Sequence, residues 1–205
     1  MSSESSQPVA PNQVNAPTVK AGATYQASLF PLALRVTVPS GTWRGAQGRS
    51  EKNGPNSVQP PAFGWIELYR PAPGDQASGY LAMIAAYGRT PSVAATVAGL
   101  RTRGHGATFQ ANTPVKFGGF SGIQFDGVIT GPNHHFVPFT PRSSAARFYP
   151  DIYTFEGTEA FQIVVLNVRG KTVVVFIDSG ALPADQFPAF LPKADQILKS
   201  LRFLR

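Results

Sequence analysis

The adjacent histidines His134 and His135 are the residues whose types most suggest metal-dependent or hydrolytic chemistry in this sequence. The carboxylate of Asp126 or of Asp151 could complete such a site. A metal site needs at least a third ligand, and neighbouring side chains of an extended segment point to opposite faces, so an adjacent pair rarely chelates one ion. The spacing therefore favours surface histidines in a loop, and we expect neither a metal nor another cofactor.

The glycine-rich segment VKFGGFSGIQFDG, residues 115–127, is the second candidate for chemistry. A phosphate-binding loop needs a helix N-terminus after its glycines, because that end supplies free N–H groups and a favourable dipole. Here the following residues alternate like a strand, and the glycine spacing fits neither a dinucleotide-binding nor a Walker motif. Ser121 is not in a nucleophile elbow either, since the second glycine comes one position too early. We interpret the segment as a structural hairpin or bulge where close backbone approach is required, with Gly119 and Gly122 as the candidates for positive φ.

The third candidate is a proline-containing loop, residues 131–150, in which aromatic rings alternate with arginines. This combination suits recognition of a protein partner, a sugar or an anionic ligand. The alternative is a long loop whose aromatic rings pack down over the sheet. Under the recognition hypothesis the ligand-binding residues are His134, His135, Phe136, Phe139, Arg142, Arg147 and Tyr149.

The composition predicts a β-rich domain with many turns. Only 14% of residues are charged, below the ~25% usual for soluble domains, while 20 glycines and 19 prolines favour turns over helix interiors. The absence of cysteine excludes disulfides, thiolate metal sites and a cysteine nucleophile. The net charge of +7 predicts a basic surface, with an anionic partner as the alternative. No run of residues resembles a basic arm, so we do not expect nucleic acid.

Alternating and continuous apolar runs predict an antiparallel sheet. FPLALRVTV predicts a half-buried strand that ends at the turn Pro39-Ser40-Gly41, and residues 44–63 are predicted to form a long loop. The continuous runs IVVLNV and TVVVFI predict a hairpin covered on both faces and joined at Arg169-Gly170-Lys171. The other predicted strands are GWIELY and GYLAMIAAYG, which form a meander, residues 107–117 and 121–130, which flank the glycines, and the C-terminal edge strand LRFL.

Two helices are predicted. In TPSVAATVAGL, Thr90 is a suitable N-cap and Pro91 suits the first helical position. The second helix shows apolar residues at helical spacing and is expected to start near Pro183 or Asp185. Pro192 should kink or delay this helix, because proline removes a backbone donor.

Residues 1–22 are rich in Ser, Pro, Asn and Gln without periodicity, which predicts a disordered linker. Residues 23–205 are predicted to form a single domain. No apolar run approaches the ~18 residues of a membrane-spanning helix, so we expect no transmembrane segment. We also expect the protein to be a monomer.

Four segments carry a resemblance to a known group. They are YQASLFPLALRVTVPSGTW, VKFGGFSGIQFDG, VLNVRGKTVVVFID and FLPKADQILKSLRF, and together they span nearly all of residues 25–203. The chain resembles exported actinobacterial domains of unassigned activity, including LpqN-type mycobacterial lipoproteins, which are placed with the PsbP-like and Ran-binding Mog-like α/β/α sandwich folds. The resemblance implies this architecture and an extracytoplasmic setting. It assigns no functional residue.

The fold class predicted from these patterns is α+β, an antiparallel sheet with helices packed on it. The predicted function is a non-enzymatic binding or accessory domain at the bacterial cell envelope, with an anionic or protein partner that the sequence does not identify. The alternative is a hydrolase or metal-dependent enzyme that uses the loop of His134 and His135.

Overall fold

The computed structural model describes residues 7–8, 18–49, 63–72, 77–104, 106–130, 134–136, 153–155, 158–180 and 182–204. Its elements in chain order are β1 (Gln7–Pro8), β2 (Thr18–Val19), β3 (Thr24–Ala27), β4 (Leu34–Thr37), β5 (Trp43–Arg49), β6 (Phe63–Pro71), β7 (Ala77–Ala86), α1 (Val93–Arg103), β8 (Ala107–Phe109), β9 (Thr113–Phe117), β10 (Phe120–Ile129), β11 (His134–Phe136), β12 (Tyr153–Phe155), β13 (Glu159–Val168), β14 (Lys171–Gly180), α2 (Phe187–Ser200) and β15 (Arg202–Phe203). The predicted α+β class is confirmed.

The main sheet is antiparallel, with the strand order β2-β5-β6-β7-β14-β13-β10-β8, and β9 also pairs with β10. A smaller sheet has the order β1-β3-β4-β15. One face of the main sheet, here called the α2 face, packs against α2 and the smaller sheet. The opposite face, here called the α1 face, packs against α1, which lies over β10 and β13. The helices and the smaller sheet therefore form two separate apolar cores, one on each side of the main sheet.

The hairpin of β13 and β14 lies in the middle of the main sheet. Almost all residues of this hairpin are buried, because both faces of the sheet are covered at this point. The exceptions are Asn167 and the two end residues of β14, Lys171 and Gly180. Arg169 and Gly170 form the two-residue turn with φ of 54° and 81°, the left-handed conformation that a tight hairpin requires. The Asn167 side chain accepts a hydrogen bond from the Gly170 amide at 2.9 Å. The predicted hairpin is thus confirmed.

The glycine-rich segment forms a second tight hairpin, between β9 and β10. Phe117 pairs with Phe120, and Gly118 and Gly119 form the turn with φ of 57° and 86°. Gly122 lies in β10 itself, where a Cβ atom would lie 2.2 Å from the Val165 carbonyl oxygen of the neighbouring strand. The structural interpretation of these glycines is confirmed, since a strand and not a helix follows them.

The predicted loop over residues 44–63 is wrong in its first part, because Trp43–Arg49 forms β5. The strand was hard to recognise because glycine and glutamine occupy positions where a buried strand usually has apolar residues. Gln47 is fully buried, and its side-chain oxygen accepts hydrogen bonds from the amides of Ser28 and Leu29, both at 2.9 Å. These bonds compensate for burying the amide and fasten the segment after β3 onto the main sheet.

The predicted N-cap of the first helix is also wrong. Ser92 caps α1, and its hydroxyl accepts a hydrogen bond from the Ala95 amide at 3.2 Å. The Thr90 hydroxyl instead accepts a hydrogen bond from the Thr172 amide at 2.9 Å. The nearby Lys171 ammonium donates to the carbonyls of residues 86, 87 and 88. Because this link to β14 holds the chain ahead of the helix in an extended conformation, α1 begins only at Val93.

The second helix follows a 3₁₀ turn, Ala184–Gln186, close to the predicted start. Pro192 lies inside α2, and the helix continues beyond it to Ser200. The buried apolar face of α2 stabilises the helix against the loss of one backbone hydrogen bond at the proline. The side chains of this face are Phe187, Phe190, Ala194, Ile197 and Leu198. The predicted C-terminal edge strand is confirmed as β15, which pairs with β4.

At the N-terminal end, Thr18 and Val19 pair with β5, and Val19 is buried in the core of the α2 face. Gln7–Pro8 pairs in parallel with β3. Both short strands fall within the range for which the sequence predicts a linker, residues 1–22. The division of the chain into a linker and a single domain stays a prediction.

Candidate functional site

Aromatic and acidic side chains cluster on the half of the α1 face that lies away from α1. Strand alternation places Trp65, Glu67 and Tyr69 of β6 on this face, and Tyr80 of β7 pairs directly with Tyr69. Asp178 of β14 in turn pairs with Tyr80. We call these five residues the aromatic–acid patch. Within the part of the chain that the structure describes, no helix lies over it.

The patch is exposed enough to reach a ligand. Its three rings and Glu67 are half-buried, whereas Asp178 is only 4% exposed and forms the floor. Tyr69 and Tyr80 stack with their ring centroids 5.7 Å apart and their planes within 18°. Stacking fixes both rings in one orientation, so that they present a flat and preformed surface.

Tyr80 joins the two carboxyl groups of the patch. Its hydroxyl is hydrogen-bonded to Glu67, and Asp178 lies close enough to act on it electrostatically. Burial and then the adjacent Glu67 and Asp178 carboxylates raise the pKa of the Tyr80 phenol well above its ordinary value. Tyr80 therefore remains a neutral hydrogen-bond donor at neutral pH.

Burial also raises the pKa of the Glu67 carboxyl, and the hydrogen bond from Tyr80 only partly offsets this effect. The carboxyl is thus easier to protonate in the folded chain than in the unfolded chain. Proton binding at Glu67 favours the folded state, and ionisation at Glu67 destabilises it.

This shift predicts a pH-dependent difference in stability between the wild type and the variant Glu67→Gln. The wild-type advantage from a protonated Glu67 should be complete below the ordinary pKa of 4.5, and it should be lost as pH rises through the raised pKa of the folded state. Urea unfolding of both proteins at a series of pH values measures this difference, in which the titrations of other groups cancel. A wild-type advantage that grows as pH rises would contradict the assignment.

The Asp178 carboxylate is held by the backbone of its own strand. Its Oδ1 atom accepts a hydrogen bond from the Gly180 amide at 2.7 Å. Gly180 has a φ of 54°, and a Cβ atom there would lie 2.5 Å from the Ala77 carbonyl oxygen, so this position at the end of β14 requires glycine. The Asp178 carboxylate is therefore held in one orientation at the floor of the patch.

The patch combines flat apolar rings with oriented hydrogen-bond acceptors, which is the chemistry of a binding surface. Among the described residues, no group of three or more His, Asp or Glu side chains could hold a metal ion. Asp126, which the sequence offered as a metal ligand, lies on β10 and accepts a hydrogen bond from the Gln162 amide group at 2.9 Å. The Asp126 carboxylate is therefore engaged within the sheet.

The ligand-binding residues predicted from the sequence are only partly described. His134, His135 and Phe136 form β11, which pairs with β12, so this part of the predicted loop is a strand. β12 contacts β14, the strand that carries Asp178. The remaining predicted residues, Phe139, Arg142, Arg147 and Tyr149, lie outside the described residues. The ligand-binding set stays a prediction.

Sequence reasoning missed the aromatic–acid patch, although it predicted all three of its strands. The signal in the sequence was the alternation Trp65, Glu67, Tyr69, which places rings and an acid on one side of a strand whose other side is apolar. Asp178 joins this group only through the pairing of β7 with β14, which a single sequence does not reveal.

Arg101, near the end of α1, has a structural role. The Arg101 guanidinium donates to the Gln110 carbonyl and to the Asn112 side chain. It also lies 5.2 Å from the ring centroid of Phe109 and 5.1 Å from that of Phe125. Arg101 thus fastens the helix to the segment after β8.

No family model matches the sequence, and no curated protein matches it significantly. Similar solved structures include a crystal structure from Bacteroides thetaiotaomicron, with 8% identity and a TM-score of 0.45. The solution structure of cyanobacterial PsbP (CyanoP) from Synechocystis shows 11% identity and a TM-score of 0.48. The crystal structure of LpqN, described as involved in cell envelope biogenesis of Mycobacterium tuberculosis, shows 14% identity and a TM-score of 0.34.

These alignments cover 94%, 91% and 92% of this chain and 50%, 95% and 90% of the respective structures. The chain therefore spans half the length of the Bacteroides protein. PsbP and LpqN, which the sequence resemblance named, are both among the similar structures, whereas membership of the LpqN-type group stays a prediction. A likeness at this level carries no information about ligand or activity. Within the described residues, no helix is long and apolar enough to span a membrane.

Proposed function

We propose that this chain is a non-enzymatic binding domain of the bacterial cell envelope that holds a carbohydrate on the aromatic–acid patch. The observation that carries the proposal is the juxtaposition of three half-buried rings with two carboxyl groups on one half of a sheet face. The envelope setting is supported by the sequence resemblance to exported actinobacterial domains. The proposal extends the binding role that the sequence predicts to a surface other than the loop of residues 131–150.

The chemistry of the patch matches that of a sugar ring. A sugar has apolar C–H faces, which pack against aromatic rings, and hydroxyl groups at its edge, which need hydrogen-bond acceptors. Trp65 and the stacked pair of Tyr69 and Tyr80 supply the flat surface, the half-buried Glu67 supplies an acceptor, and Asp178 adds negative charge beneath them. Carboxylates repel an anionic ligand, so the patch favours a neutral sugar over an acidic one.

Carbohydrate binding can be measured with soluble oligomers of N-acetylglucosamine, a sugar of the bacterial cell wall. Trp65 is one of two tryptophans and the only half-buried one, since Trp43 is fully buried. Saturable binding should therefore change the Trp65 emission. Calorimetry on the variant Tyr69→Ala should show an affinity at least about tenfold lower, the loss of one binding anchor.

The variant Lys116→Ala is a suitable control, because Lys116 is exposed on β9 at the far side of the main sheet. It should bind the oligomers as the wild type does. If the folded wild type binds neither these oligomers nor other neutral cell-wall sugars at millimolar concentration, the proposed function is wrong. Equal losses in Tyr69→Ala and Lys116→Ala would place the ligand elsewhere.

A further inference from the structure

Two cationic side chains meet at Gly41, near the start of β5. A Cβ atom added to Gly41 would lie 3.6 Å from Nη2 of Arg70 and 3.8 Å from Nζ of Lys193. Both positive groups thus lie within 4 Å of one point, where the glycine leaves room for a small group. Arg70 comes from β6 and Lys193 from α2, so two elements distant in sequence bring the charges together.

Neither cation is neutralised by the part of the chain that the structure describes. No described residue forms a hydrogen bond or ion pair with the Lys193 ammonium or the Arg70 guanidinium, and Arg70 Nε is buried without an acceptor. Part-buried cations elsewhere in the chain are engaged: Arg101 and Lys171 donate to backbone carbonyls. Two like charges this close repel each other, and a buried N–H without an acceptor costs further free energy.

A bound anion would relieve the repulsion between the two cations. Nη2 is the guanidinium nitrogen that approaches Gly41, and a guanidinium N–H forms a strong hydrogen bond to an oxygen of a phosphate or a carboxylate. The ammonium of Lys193 adds a second positive charge within 3.8 Å of the same point. Two cations match the charge of a phosphoryl group, which is close to −2 at neutral pH.

We propose that Arg70 and Lys193 form a binding site for a phosphoryl group, with Gly41 as its open wall. The site lies at the edge of the α2 face, on the opposite side of the sheet from the aromatic–acid patch. It would fit the phosphoryl group of a small molecule or the headgroup of an anionic lipid, since both present the same oxygens.

Inorganic phosphate is the first probe. Two-dimensional NMR of the ¹⁵N-labelled full chain should show saturable shifts of the Gly41 amide as phosphate is added, at constant ionic strength. The variants Lys193→Gln and Arg70→Gln should each lose at least about tenfold in affinity, because each removes one of two charges. Lys193 is half-exposed, so its variant tests the site even if the Arg70 variant fails to fold.

Lys199→Gln is the matched control. Lys199 lies on the same helix, and its ammonium is paired with Asp195 at 3.5 Å, so its loss should leave phosphate affinity unchanged. Binding of vesicles that contain phosphatidylglycerol, with the same ranking of variants, would identify a lipid headgroup as the source. Phosphate binding without vesicle binding would identify a small molecule. If phosphate causes no saturable shift at Gly41, or if Lys193→Gln and Lys199→Gln behave alike, the site does not exist.

Discussion

The variant Gly122→Val should lose at least about 3 kcal/mol of free energy of unfolding, the upper range for overpacking a close-packed interior. A Cβ atom at Gly122 would lie 2.2 Å from the Val165 carbonyl oxygen and 2.8 Å from the Leu166 side chain. The carbonyl belongs to the backbone of β13 and cannot move without breaking the pairing of β10 with β13. Urea unfolding of the purified variant measures the loss.

The variant Gly119→Ala separates this effect from turn geometry. Gly119 has a φ of 86°, but no atom lies within 4 Å of the position of an added Cβ. Its replacement should cost only the ~1–2 kcal/mol of a left-handed conformation in a residue other than glycine. If both variants lose the same free energy, backbone conformation and not close strand approach explains the glycines of this segment.

The variant Trp43→Ala should lose about 3–5 kcal/mol of free energy of unfolding, as expected for deleting a buried aromatic side chain. Trp43 is fully buried, and its ring centroid lies 6.0 Å from that of Phe190 in α2. Its loss would leave a cavity between β5 and the helix that covers the α2 face. Chemical denaturation followed by circular dichroism measures the change without depending on tryptophan emission.

Trp65→Ala is the matched control, because it removes the same side chain from the neighbouring strand. Trp65 is half-buried on the opposite face, so its removal should cost clearly less stability than that of Trp43. Equal losses would mean that the ring of Trp65 is packed as tightly as a core residue. That outcome would count against the aromatic–acid patch as a preformed binding surface.

The central hairpin could be predicted from the sequence because its local signals agree. Continuous β-branched runs surround a turn at Arg169 and Gly170, and the same residues are buried on both faces in the fold. β5 could not be predicted in this way. Position 45 requires glycine because a Cβ atom there would lie 2.9 Å from the Leu68 side chain. Gln47 is needed because the backbone amide of Ser28 requires a hydrogen-bond acceptor. Both requirements come from residues distant in sequence.

The candidate site could likewise be predicted from the sequence only in part. The strand that carries Trp65, Glu67 and Tyr69 was predicted, but its polar side was not recognised as a site. Tyr80 and Asp178 approach these residues only because β7 pairs with both β6 and β14. The Ser92 cap was missed for a related reason, since Thr90 is drawn away from the helix by β14.

The pairing of β7 with β14 also governs how the chain reaches its fold. Strands β5, β6 and β7 form one part of the main sheet, and β10, β13 and β14 form another, but the two parts join only across residues 87–170. Closing so long a loop is slow, because its entropy must be lost before the new contacts form. Until it closes, the apolar edges of β7 and β14 remain unpaired, which is the kind of surface from which aggregation starts. A strand pairing in the middle of the finished sheet is thus the most hazardous stage of its assembly.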